Sequence, residues 1–238
     1  MDVSIAAEVS TRHLSFIETG RSTPSRVMIE RLCDELDVPL RERNQFHLAA
    51  GLAPPHRERP LTELGSARAA VTAVLAGHEP NPAVAINARW ELLDANQAMH
   101  RFLAAVPPEL AGPPLNMMRA TLHPGGLASQ LRNPEQWRTN ALRRMRRQLD
   151  RTADPELAAL ITEVSGYPIP DGDGRLEGLG DDDLVVPMRL STEAGELSLL
   201  YAVTLFGSPR DVTLDEIAIE TFFPADNATR QVLTAMSG

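Results

Sequence analysis

Two hydrophobic periods divide this chain, and no single layer of structure satisfies both. Over the first sixty residues apolar side chains recur at helical spacing, whereas between Leu184 and Phe223 they alternate, as in strands with one covered face. A helical head followed by an α+β body is the expected architecture, and 238 residues suffice for one small and one medium domain.

In the head, Ser10 reads as an N-cap for a short helix carrying Leu14 and Ile17, which Gly20 ends with a left-handed turn. Ser25 opens a second helix, apolar at Met28, Ile29, Leu32, Cys33 and Leu36, and Val38-Pro39 breaks it. A third runs from about Leu40 to Ala50 and closes at Gly51, before a linker containing Ala53-Pro54-Pro55 and the RERP stretch at 57–60. Three short helices with caps at Ser10 and Ser25 fit many all-α modules. Cys33, inside an apolar repeat, reads as a small core residue rather than a nucleophile.

The string VSTRHLSFIETGRSTPSRVMIERLCDELDVPLRERNQFHLAAG, Val9 to Gly51, resembles the XRE-type helix-turn-helix family in its Val-Ser, its Ile-Glu-x-Gly turn and its Pro-Ser. The resemblance implies that the helix after Ser10 is a recognition helix whose leading residues, Thr11, Arg12 and His13, face base edges. Arg12 offers the planar fork that pairs with guanine, and His13 and Ser15 offer single hydrogen bonds. Ser10, Arg21, Ser22 and Ser25, at helix ends or in the loop, suit phosphate oxygens. A solvated helix surface is the alternative for Arg12 and Arg21. In that family a first helix and a full second helix precede the Val-Ser turn; here only VSIAAE, residues 3–8, does so, and Glu8 replaces the turn glycine. A start codon assigned too late and a head that has lost DNA contact are the two explanations, and the retained Arg12, Ile17-Glu18-Thr19-Gly20 and Ser25 favour the first.

In the body, a helix is expected from Thr62 to Gly77, ended by Pro80 and Pro82. Strands Ala83–Asn87 and Glu91–Asp94 follow, joined at Ala88-Arg89. Helices are expected at Gln97–Val106, Met117–Leu122, Pro134–Asp150 and Asp154–Ser165, then a surface loop from Asp171 to Asp183. Strands return at 184–190, 197–205 and 217–223, with Gly195 at a turn, and Asp226 caps a terminal helix. Five strands around a helical block suit an antiparallel, PAS-like sheet with helices on one face.

The segments NPAVAINARWELLDAN, LHPGGLASQLRNPEQWRTNALRRMRRQ and VTLFGSPRDVTLDEIAIETFFPADNAT resemble the MmyB-like ligand-binding domain, which follows an XRE head in bacterial regulators. The expected organisation is therefore a helix-turn-helix domain at 1–53, a linker at 54–61 and a ligand-binding domain at 62–238. The resemblance implies a small apolar effector, fatty acids or similar acyl compounds first, together with double-stranded operator DNA and a homodimer in the cytoplasm. Met117, Met118 and Met145 are polarizable fillers suited to a pocket, with Trp137, Tyr201, Phe206 and Phe222 as walls; ordinary core packing is the other role open to each. Arg143, Arg144, Arg146 and Arg147 wrap around one helix and offer either a carboxylate anchor or salt bridges.

Charge and motifs bound the remaining functions. The net charge of −9 opposes a chain that coats nucleic acid, so DNA affinity must come from local placement of arginine. No G-x-S-x-G elbow, phosphate-binding glycine loop, zinc-spaced cysteine pair or H-E-x-x-H helix occurs, and no two histidines lie three or four apart. His123, in Leu-His-Pro-Gly-Gly, reads as a turn residue. A calcium-loop-like start at Asp171 fails at Arg175 and Leu176. No catalytic residue, metal or cofactor is assigned. No run of eighteen apolar residues suggests a membrane span, and the opening residues lack a signal-peptide pattern.

Overall fold

The structure is a computed structural model that describes residues 9–170, 185–207 and 209–237. The expected helix remnant at 3–8 and the loop at 171–183 lie outside those residues. The chain divides into two compact units: residues 1–64 with 206–216, and residues 65–205 with 217–238.

The first unit is helical. Helix α1 (Thr11–Glu18) starts at Ser10, whose hydroxyl accepts from the His13 amide, and α2 (Arg26–Glu35) starts in the same way at Ser25, capping Met28. Gly20, at φ +68°, makes the left-handed turn after α1, where the amides of Arg21 and Ser22 return to the Phe16 carbonyl. Helix α3 (Leu40–Ala49) starts at Pro39, which has no capping side chain; the distant Asp215 carboxylate instead accepts from the Leu40 amide at 2.8 Å. Ile29, Cys33 and His47 are buried, and burial pushes the Cys33 thiol up, as suits a core residue.

The segment 206–216 follows the second unit's sheet in sequence yet clusters with the helical head. Its single helical turn, Val212–Glu216, is bound by a Val212 amide bond to the Arg57 carbonyl, by the Thr213 hydroxyl on the Arg59 carbonyl, and by pairs of Arg59 with Asp211 and Arg41 with Glu216. Sequence periodicity gave no sign of this turn, because five residues are too few to show a helical repeat.

The second unit is an antiparallel five-stranded sheet in the order β2-β1-β5-β4-β3, built from β1 (Ala83–Ile86), β2 (Leu92–Ala95), β3 (Met188–Thr192), β4 (Gly195–Leu205) and β5 (Ala218–Pro224). Its helices are α4 (Gly65–Gly77), α5 (Gln97–Leu103), α6 (Pro108–Ala111), α7 (Met117–Leu122), α8 (Pro134–Thr152), α9 (Pro155–Ser165) and, after the Val212–Glu216 turn, α10 (Asn227–Met236). Three expectations shift. The helix foreseen from Thr62 is a 3-10 turn at Leu61–Glu63 and then α4, interrupted at Leu64, whose ψ of 60° lies outside the helical range. The strand foreseen from Leu184 begins at Met188, because Pro187 has no amide for the ladder.

The third correction concerns the sheet. Every residue of β1 is buried, and helices pack on both faces of the sheet at β1 and β2 rather than on one, while Ala202 to Leu205 of β4 are exposed. The pairings Ala85 with Asp94 and with Ile219 set one face, where the Thr72 hydroxyl of α4 donates to Asp94. The pairings Val84 with Glu220, Tyr201 with Phe222 and Met188 with Leu199 set the other, against which α8 lies with the Trp137 ring on Tyr201. The main hydrophobic core joins this second face to α5, α7, α8 and α9.

Candidate functional site

A cavity opens between that second sheet face and the helices over it. Its floor is Met188, Leu190, Leu199, Tyr201, Glu220 and Phe222, which strand alternation places on one side of three adjoining strands. Its roof is Met99 and Phe102 from α5, Met117, Met118 and Thr121 from α7, Leu127, and from α8 the row Trp137, Asn140, Ala141 and Arg144, one helical face by its spacing.

Asparagines at the helix starts position the roof. The Asn96 carbonyl accepts from the amides of Met99 and Ala83, while its amide group reaches the Leu75 and Asn81 carbonyls, so α5, β1 and the end of α4 share one side chain. Asn116 caps Met118 and Arg119 and donates to the Arg89 carbonyl at 2.9 Å. Asn133, at the start of α8, donates to the Pro187 carbonyl and accepts from the Arg189 amide, tying the helix to β3. Each is at most 5% exposed, so each hydrogen bond satisfies a group that would otherwise be buried without a partner. Gly126 is required for close approach: a Cβ there would sit 2.3 Å from the Ala120 carbonyl. His123 does serve as a turn residue, its Nδ1 accepting from the Gly125 amide.

The polar wall centres on Arg144. Its guanidinium donates to the Glu220 carboxylate and lies over the rings of Trp90, at 4.4 Å, and Tyr201, at 5.1 Å. Trp90, at φ +64°, is 3% exposed and fixed by its indole N–H on Gln148 Oε1, while the Gln148 amide returns to the Ala88 carbonyl. Of the four clustered arginines on α8 only Arg144 turns inward; Arg143, Arg146 and Arg147 are exposed. Beyond the cavity, Arg119 pairs with Glu163 and ties α7 to α9; the pairing lowers the Glu163 carboxyl, and burial with that carboxylate holds the Tyr167 phenol up at about 12.

The cavity measures about 40 Å³, room for the centres of about three waters. Four of the chain's eight methionines line it, and methionine is the apolar side chain that most readily rotates to admit a guest.

Five of the residues singled out in the sequence, Met117, Met118, Trp137, Tyr201 and Phe222, come together around this cavity. Met145 is fully buried in the core beside it without lining it, and Phe206 belongs to the first unit. Met99, Phe102, Met188 and Glu220 were missed as lining residues, and Arg144 was weighed as a ligand anchor only together with Arg143, Arg146 and Arg147. Arg144 had a signal, its seven-residue spacing from Trp137; Glu220 had none beyond being a charge within an apolar strand.

In the head, Ser10, Thr11, Arg12, Ser15, Arg21 and Ser25 are exposed, and His13 and Ser22 are half-buried. None of α1 is buried, and the Arg12 guanidinium lies 5.4 Å from the Phe16 ring centre, one turn on. Among the described residues no cluster of His, Cys, Asp and Glu is suited to a metal, and no helix is long and apolar enough to cross a membrane.

A curved antiparallel sheet with a methionine-lined cavity under a helical roof defines an α+β ligand-binding domain. The model of the MmyB-like transcription regulator ligand binding domain matches residues 67–236, and the chain belongs to that family. No curated protein matches the chain significantly.

Proposed function

We propose that this protein is a bacterial transcription regulator whose second unit binds a small acyl compound of the fatty-acid type and whose first unit is an XRE-type helix-turn-helix head. The observation that carries the reading is the cavity: apolar over most of its floor and roof, with Arg144 and Glu220 meeting as its polar wall, in a domain whose family serves transcription regulation. The sheet order supports the PAS-like description. The exposure of Thr11, Arg12 and Ser15 at the start of a capped helix supports base contact by α1, and Arg21 and Ser25 are open to phosphate. In this reading the protein acts as a cytoplasmic homodimer on paired half-sites. The effector works by differential affinity for two arrangements of the sensing domain, without catalysis.

Fluorescence anisotropy with a duplex from the region upstream of the protein's own gene tests this, using wild type and Arg12→Ala. Loss of a bidentate base contact weakens binding by about ten-fold or more, and laurate or lauramide shifts the wild-type curve. Equal binding by both forms removes α1 from the interface, and binding by neither leaves a ligand-binding protein without DNA contact.

A further inference from the structure

The polar wall of the cavity sets which end group an acyl ligand can carry. Arg144 and Glu220 are the two charged residues among those lining it, and each is already occupied by the other. The Glu220 side chain is 5% exposed and sits on the sheet floor two residues from Phe222. Burying a carboxylate to that degree is costly without a paired cation. An ionised ligand carboxylate drawn to Arg144 would bring a second negative charge against Glu220 across a single guanidinium that already lies over two aromatic rings. A neutral group that donates to Glu220 and accepts from Arg144 extends the pair without breaking it.

A second feature points to the same chemistry. Trp137 is 7% exposed and lines the same cavity, and its indole N–H is buried with no hydrogen-bond partner. A donor left in that state is costly, and an acceptor oxygen on a guest relieves it. We propose that the cavity selects, among acyl compounds, those whose polar end is neutral and carries both a donor and an acceptor, a primary amide or an alcohol rather than an ionised fatty acid, with Trp137, Arg144 and Glu220 as the discriminating residues. The inference rests on the reading of the cavity as an acyl site.

The test is titration of the full chain by calorimetry with lauramide, lauryl alcohol, methyl laurate and laurate, all below micelle-forming concentrations. Lauramide and lauryl alcohol bind wild type at least about ten-fold more tightly than laurate, and methyl laurate, an acceptor without a donor, binds more weakly than lauramide. Glu220→Gln, with folding checked by thermal melting, removes most of the discrimination against laurate, and Trp137→Phe weakens lauramide by about three- to ten-fold. Laurate as the tightest wild-type ligand, or equal binding of all four, overturns the head-group inference while leaving an acyl site in place. Binding of none overturns the acyl reading itself. These wild-type comparisons decide the matter even if a variant fails to fold.

Discussion

Replacing Arg144 with methionine keeps an unbranched side chain and removes the guanidinium that pairs with Glu220 and lies over the Trp90 ring. Glu220 then stays in the floor of an apolar cavity, 5% exposed and without its cation. Removing one partner of a buried pair destabilises by about 3–5 kcal/mol, because the remaining charge is uncompensated. The reverse substitution, Glu220→Met, is milder: Arg144 is 26% exposed and keeps two aromatic faces, so a loss of about 1–2 kcal/mol is expected from the broken charged hydrogen bond. The double substitution Arg144→Met with Glu220→Met removes both charges and lies within about 1–2 kcal/mol of wild type, since a well-packed apolar pair replaces a buried ion pair at little cost. Urea denaturation of the four proteins closes the cycle. A coupling of at least about 2 kcal/mol is expected. Additive losses, or Glu220→Met as the more damaging change, would refute the argument that Glu220 depends on Arg144.

Met145→Ala, at a fully buried core position, loses about 2–5 kcal/mol in the same assay. Asp226→Ala removes the cap on the Thr229 amide at 2.7 Å and costs about 1 kcal/mol at neutral pH. That amide holds the Asp226 carboxyl below its usual range, so its stabilisation is present above the unfolded-state pKa and is lost as pH falls through the lower folded value; the variant and wild type should converge in acid-end urea titrations. Asp215→Ala deprives the first amide of α3 of its acceptor and costs about 1 kcal/mol, seen as faster amide exchange at Leu40. Arg12→Ala, on an exposed helix face, changes stability by no more than about 0.5 kcal/mol, so that any loss of DNA binding reports on contact and not on folding.

Local rules carried much of the fold. Ser10, Ser25 and Asp226 cap the helices they were expected to open, because a short side chain that satisfies a free amide leaves a signature independent of the rest of the chain. Alternation located β4 and β5, but it misjudged β3, where Pro187 interrupts pairing without interrupting the apolar pattern. Long-range partnerships left no comparable mark. Nothing near Pro39 announces that its helix is capped by a carboxylate 175 residues away, and nothing near Phe206 shows that the chain leaves the sheet for the helical unit just after β4. The cavity was legible in part for the same reason. Aromatic and methionine residues mark an apolar lining, but which of four arginines turns inward depends on the phase of α8 against the sheet, where Asn133 at its start bonds to the Pro187 carbonyl and the Arg189 amide.

The cavity's small volume bears on how a ligand could act. At about 40 Å³ it lies well below the ~300 Å³ or more of typical ligand pockets, so under the proposed function an acyl guest would need Met99, Met117, Met118 and Met188 to turn aside. Apparent affinity then falls in proportion to the fraction of molecules already open, and the ligand's contribution is the shift toward the open arrangement. The roof is held at its helix starts by Asn96, Asn116 and Asn133, whose bonds run to β1, to the Arg89 carbonyl and to the Arg189 amide of β3. Methionine rotation can open space without breaking those bonds, whereas lifting a helix would leave buried amides unsatisfied. Opening by side-chain rotation under a fixed backbone is therefore the lower-energy route, and the Asn-anchored helices would carry any larger displacement as rigid bodies.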